Sequence, residues 1–180
     1  MEAAIEIVGA RVRLRPGTAA DAAPLVAIRS EESVRIRWGV PDPDEIRASV
    51  LDGAQPGAEV VVLVIEHAGH VVGAIQFEEN PDPEYRNANM DIYLATSAQG
   101  RGLGREAIAL LAAYLRDVRG HHRLVIDPAA DNAAAIRCYE SVGFKAIGRM
   151  REYELGLDGT WHDGLLMDLL TRDLRVPHGR

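Results

Sequence analysis

The chain has 180 residues, enough for one ordinary domain with its own core, and at 47% apolar it is globular rather than disordered. Its formal charge of −7 argues against nucleic acid or an anionic membrane as the main partner and permits a cationic substrate. No apolar run is long enough to span a bilayer, the first residues carry glutamates instead of a basic signal-peptide start, and the single cysteine, Cys138, excludes an internal disulfide. One domain over residues 1–180 is expected, with a core from about residue 11 to 170, in a reducing, cytoplasmic compartment.

Arg11 to Arg15 alternates and predicts a first strand, ended by Pro16-Gly17. Thr18 to Ile28 predicts a helix, with Asp21 near its start and Pro24 in its first turn, and Glu31 to Trp38 a second helical piece. Asp44 to Leu51 is a further short helix, closed by the turn-rich stretch Gly53 to Gly57. Glu59 to Glu66 is a strand too apolar to face water on either side, and Ala68-Gly69-His70 turns it into a hairpin with Val71 to Phe77. Glu78 to Arg86, with two prolines, reads as a loop. Met90 to Ala95 is the next strand. It leads through a turn at Gln99 to Gly104 into a long helix whose apolar positions, Leu103, Ala107, Ile108, Leu111 and Leu115 among them, keep the helical period. Arg123 to Ile126 is a short buried strand, preceded by His121-His122, a pair with no partner at metal-ligand spacing, so no metal site is expected. A helix from Asn132 to Ser141 stops at Gly143. Ala146 to Leu155 and Leu165 to Leu170 are the last strands, and the tail Thr171 to Arg180 reads as loose. This order makes a mixed α/β sheet.

The turn at Gln99-Gly100-Arg101-Gly102-Leu103-Gly104 has a physical job to explain. Three glycines in five residues are costly unless the backbone itself must approach something. A helix starts there, so several N–H groups lack partners, and the helix dipole with Arg101 and Arg105 adds positive charge. That is an anion site, most naturally for phosphate. A P-loop needs Gly-Lys-Ser/Thr and a Rossmann fingerprint needs a different glycine spacing; a tight turn without a ligand is the plainer alternative. The pattern Gln99-x-x-Gly102-x-Gly104 resembles the pyrophosphate loop of the GNAT superfamily of acyl-CoA N-acyltransferases, with Thr96 where many members carry proline. Asn132 to Phe144 resembles a second segment of that family, Asn-x-x-Ala-x-x-x-Tyr-Glu-x-x-Gly-Phe.

The resemblance implies a mixed, mostly antiparallel central sheet with flanking helices. It also implies a splay between the fourth and fifth strands that admits the pantetheine arm of acetyl-CoA. Gln99, Gly100, Arg101, Gly102, Leu103, Gly104 and Arg105 would then hold the cofactor's pyrophosphate. The main chain of Ile92, Tyr93 and Leu94 would hold the pantetheine and polarise the acetyl carbonyl. Asn132 would touch the cofactor, cap its helix, or do both. Tyr139 would stand near the sulfur and protonate the leaving thiolate. Cys138 points about 100° away on the helix, and the family transfers directly, so no acyl-cysteine is expected.

Direct transfer needs a neutral amine, and for a lysine-like amine, with a pKa near ~10.4, deprotonation at pH 7 costs roughly 4–5 kcal/mol. Asp91, an acid inside the strand beside the cofactor loop, is the foremost base; it shares a strand face with Tyr93 and Ala95. Glu78 and Glu79 are the reserves and, with Asp91, candidate acceptor ligands. Trp38, with Glu31, Glu32, Asp42, Asp44 and Glu45 around it, suits a cationic sugar or amine. Within the superfamily, Ile126 to Glu140 is similar to aminoglycoside 6′-N-acetyltransferases, whereas Met150 to Met167 is similar to enzymes acting on ribosomal-protein N-termini or on spermidine. The expected acceptor is a small cationic amine, an aminoglycoside foremost, with a protein N-terminus or a polyamine as alternatives. A non-enzymatic acyl-CoA sensor is the reading of a different class, and the intact Asn132 and Tyr139 speak against it. A homodimer is compatible with the resemblance.

Overall fold

The computed structural model describes residues 5–176. Its strands are β1 (Ile7–Val8), β2 (Val12–Pro16), β3 (Val60–His67), β4 (His70–Glu79), β5 (Ala88–Leu94), β6 (Arg123–Ile126), β7 (Lys145–Leu155) and β8 (Trp161–Leu170). Its helices are α1 (Ala22–Ser30), α2 (Glu32–Trp38), α3 (Pro43–Asp52), α4 (Leu103–Asp117) and α5 (Ala133–Val142). The strands form one sheet in the order β1-β2-β3-β4-β5-β6-β8-β7. Every neighbouring pair is antiparallel except β5 and β6. The mixed, mostly antiparallel sheet read from the sequence is the one observed.

Local chemistry accounts for the elements. Asp42 caps α3, its carboxylate accepting from Asp44 N at 2.8 Å and Glu45 N at 3.3 Å, with Pro43 in the first turn. The β3–β4 turn places Ala68 and Gly69 at φ 50 and 79, the two left-handed residues that a two-residue hairpin of this hand demands. Val62, Leu63, Val64 and Ile65 of β3 are all buried, which fits a strand covered on both faces. α4 turns Leu103, Ala107, Ile108, Leu111 and Leu115 to the core. Phe77 meets Tyr114 of α4 across one sheet face, ring centroids 6.5 Å apart. Tyr93 meets Trp38 of α2 across the other, at 4.9 Å.

The parallel pair β5–β6 is short: Ala88 opposes Leu124 and Asn89 opposes Val125. Beyond Asn89, β5 continues against β4 as far as Leu94, while no further β6 partner is found among the described residues. The two strands therefore splay, between what the sequence counts as the fourth and fifth strands; the short β1, unforeseen, shifts the count by one.

At the entry to α1, Arg15 grips Asp21 with both terminal nitrogens at 2.9 Å and reaches Glu66 with Nε at 2.9 Å. Thr18 donates to Asp21 from both N and Oγ1 at 2.8 Å.

Three sequence expectations are corrected. β4 does not end at Phe77 but runs to Glu79, because Glu78 and Glu79 still find partners in Asn89 and Ala88. β8 begins at Trp161, where the hairpin with β7 supplies partners the residues themselves do not advertise. The tail is docked as far as it is described: Thr171 is buried and donates to the His121 carbonyl at 3.1 Å, and Arg175 N bonds Val142 O at 2.8 Å. Its last residues, 177–180, lie outside the described residues.

Candidate active site

The loop between β5 and α4 has a geometry that could hold a phosphate-like ligand. Gly100 and Gly102 take φ values of 69 and 77, where a side chain is strained. Gly104 has a different reason: a Cβ there would stand 3.1 Å from Leu94 Cδ1, so its absence lets α4 start close against β5. No side chain caps the first turn of α4, which leaves its N–H groups for a ligand, and Arg101 and Arg105 are exposed beside it. Leu103 contributes main chain alone, since its side chain is buried in the core. Gln99, exposed on the loop, donates from Nε2 to the Leu94 carbonyl at 2.9 Å, fixing the exit of β5.

A clamp holds this loop that the sequence does not reveal. Arg11 donates to the carbonyls of Arg101 at 2.9 Å and Gly102 at 3.1 Å, and its Nε pairs with Glu106 Oε2 at 3.0 Å. Glu106 also accepts from the backbone N of Arg11 and Val12. Burial alone would raise the Glu106 carboxyl, but these bonds outweigh it and hold it below its usual range.

On the α2 side of the sheet, a groove of about 330 Å³ opens beside the splay, lined among others by Gln76, Glu78, Asn89, Asp91, Asp127 and Tyr153. Gln76 faces Asp91 and Glu78 faces Asn89 across the β4–β5 ladder, so alternation delivers them to one face. The open side of the groove leaves Asp91 exposed, while Gln76, Glu78, Asp127 and Tyr153 take water from the rest of its surroundings. That loss of water is the main cause that lifts it to about 7; the Ile92 N–H bond opposes, and the charges of Asp127 and Glu154 add. The Ile92 N–H is spent on Asp91 Oδ1 at 2.8 Å, so within Ile92 to Leu94 the amide of Ile92 is already engaged.

Tyr139 is buried on α5, near enough to Asp91 and Asp127 to feel both charges. Burial first, then those charges, raises its phenol well above the usual range, so it keeps its proton. Asn132 caps α5 through Ala135 N at 3.2 Å. Cys138, half-buried, is raised by burial away from thiolate character. Tyr153, unforeseen, bonds Asp127, and that bond is the main cause that raises its phenol to about 12.

Trp38 packs on Tyr93 on the Asp91 side of the sheet, beside the groove and not in its lining, and the acids near it in sequence do other work. Asp42 is the α3 cap, and Glu31 accepts from Thr96 N at 2.6 Å. Glu32, Asp44 and Glu45 do not line the groove. The cation over the Trp38 ring is the protein's own Arg29, at 5.0 Å. α2 is tied at both ends: Ser33 bonds Thr96 at 2.6 Å, and Arg37 pairs with Asp131 at 2.6 Å.

Of the two reserve acids, Glu78 lines the groove and Glu79 does not. Glu79 alternates to the opposite sheet face, where Arg119 and His121 Nε2, the latter at 2.6 Å, bind it. Those partners hold its carboxyl low although burial alone would raise it. Its expected place in acceptor binding is therefore corrected.

The model of an acetyltransferase (GNAT) domain matches residues 11–145. L-methionine sulfoximine/L-methionine sulfone acetyltransferase of Salmonella typhimurium is 32% identical over 118 residues, covering 64% of this chain and 68% of that protein. Aminoglycoside N(6′)-acetyltransferase type 1 of Klebsiella pneumoniae is 37% identical over 73 residues, 40% of this chain and only 35% of that protein's length. Among solved structures, spermidine N-acetyltransferase from Vibrio cholerae, in complex with CoA and spermine, superposes with a TM-score of 0.80 at 21% identity, over 92% of this chain and 98% of that one.

Proposed function

The chain belongs to the GNAT acetyltransferase family, and on that premise we propose that it moves an acetyl group from acetyl-CoA by direct attack of a primary amine on a small cationic molecule, an aminoglycoside foremost. The observation that carries this reading is Asp91, a carboxyl with no ion pair among the described residues, on the floor of an acidic groove where β5 and β6 part. The residues fit acetyl-CoA as donor. The positive-φ glycines and uncapped α4 suit its pyrophosphate, and the unpaired edge of β5 suits its amide-bearing arm.

In this reading the acceptor enters as an ammonium, drawn by Glu78, Asp91 and Asp127. Asp91 takes the proton; near pH 7 it is basic enough to do so and ionised often enough to be ready. The amine nitrogen bonds the acetyl carbon, the carbon–sulfur bond breaks, Tyr139 gives its proton to the leaving sulfur, and the second proton lost by the nitrogen returns to the Tyr139 phenolate. A groove of about 330 Å³ suits a sugar-sized amine. The aminoglycoside relative supports this choice of acceptor.

Thiol release from acetyl-CoA, measured against aminoglycosides, polyamines, N-terminal peptides and methionine sulfoximine, tests the reading. Turnover of aminoglycosides is expected at kcat/KM of about 10⁴ M⁻¹s⁻¹ or above, with KM raised by salt. Signal from peptides alone transfers the acceptor to protein N-termini. Acetyl-CoA binding without turnover on any acceptor returns the protein to the sensor class.

A further inference from the structure

Arg29 of α1 is built into the acceptor side at a cost. Its guanidinium carbon lies 5.0 Å from the Trp38 ring centroid and 5.5 Å from that of Tyr93. One terminal nitrogen donates to the Trp38 carbonyl, while Nε is buried without a hydrogen-bond partner. An unsatisfied buried donor on a charged group is unfavourable. The packing of α1 does not require it, because Leu25 and Ile28 already fill the helix's core face. A methionine would cover the same two rings without the penalty.

Position explains the charge. Tyr93 lies two residues beyond Asp91 on the same face of β5, so the guanidinium stands on the Asp91 side of the sheet. Around Asp91 are Gln76 and Glu78 from β4, Asp127 after β6, Tyr153 and Glu154 from β7, and Tyr139 from α5. The charged members of that ring are acids, and Arg29 is the cation that acts against them on Asp91.

We propose that Arg29 is a positioning residue for the transfer: it pins Trp38 and Tyr93 as one wall of the acceptor site and supplies the positive charge that keeps Asp91 in its basic form amid Glu78, Asp127 and Glu154. The proposal rests on Asp91 being the base. Burial raises the Asp91 carboxyl, the Ile92 N–H bond lowers it most, and Arg29 lowers it further by charge, so removing that charge drives it up and leaves less base at neutral pH.

The test follows the Asp91 carboxyl directly by carbon-13 NMR titration, with Asp91→Asn assigning the signal. Arg29→Met and Arg29→Gln remove the charge with two different shapes, so that one misfolded variant does not stop the experiment; Arg29→Lys keeps the charge. The neutral variants are expected to raise the midpoint by about half a unit to one unit, and lysine to restore it. The acid limb of kcat/KM moves with the midpoint. KM for the acceptor rises several-fold and KM for acetyl-CoA does not, roughly as the loss of one wall contact implies. A midpoint unmoved in a folded neutral variant, or not restored by lysine, overturns the proposal. A midpoint that moves while the acid limb stays fixed, or is absent from wild type, overturns the base assignment instead and leaves the electrostatic effect of Arg29 standing.

Discussion

At the corner between β2 and α1, Asp21 is held by both terminal nitrogens of Arg15 and by Thr18, and its carboxyl is pulled down to about 2, chiefly by the Arg15 bond. In the groove beside β5, Asp91 has one backbone N–H and no ion pair among the described residues, and its carboxyl is pushed up to about 7, chiefly by burial. The side chains are identical; the partners differ. A buried acid with its hydrogen bonds complete tightens the fold, and an acid crowded in a groove and left short of partners stores proton affinity at some expense of stability.

Exchanging the proposed base is the strongest way to break that contrast. Asp91→Asn should lower kcat/KM by roughly 10³–10⁴ with acetyl-CoA affinity retained, as read by calorimetry. The same variant should be more stable than wild type at about pH 8, because the wild-type carboxyl binds its proton more tightly folded than unfolded and destabilises the fold as pH rises from about 4 to 7; the difference in Tm should close toward about pH 4. Tyr139→Phe, which removes the phenol's proton and leaves the ring, should cost about 10²–10³ in turnover with little change in cofactor binding. The structural acid gives the opposite pattern. Asp21→Ala leaves Arg15 half-paired and should cost about 3 kcal/mol in denaturant unfolding, with normal kcat for the molecules that fold. The Asp21 contribution is fully present above its unfolded pKa and is lost as pH falls through about 2. Glu79→Gln sharpens the comparison from the quiet end: with its carboxylate tied to Arg119 and His121 on the far face, kcat should change by less than about twofold.

What the sequence made legible was local. The glycine loop, the helix from Asn132 and the strand acid Asp91 announce themselves because turn, cap and alternation are written within a few neighbouring residues. Arg11 and Glu106 stayed hidden because 95 residues separate them. Arg29 and Asp127 stayed hidden for the same kind of reason, since each matters through a ring or carboxyl brought from another element. Glu78 and Glu79 looked alike next to Pro81 and Pro83, and the loop reading merged them. Carrying the alternation of Gln76 and Phe77 two residues further would have separated the groove acid from its neighbour.

The short helix α2 crosses between the two sides of the splay like a clasp. Its first turn is fastened to the phosphate loop side through Glu31 and Ser33 on Thr96, and its last turn to the approach to α5 through Arg37 on Asp131. Between those fastenings it buries Val34 alone, and its final residue is Trp38. Any widening of the slot that parts the loop from α5 therefore loads these surface bonds before it disturbs the core, and it carries the tryptophan with it. If the donor enters by the splay, as proposed, its entry and the position of Trp38 are one mechanical coordinate.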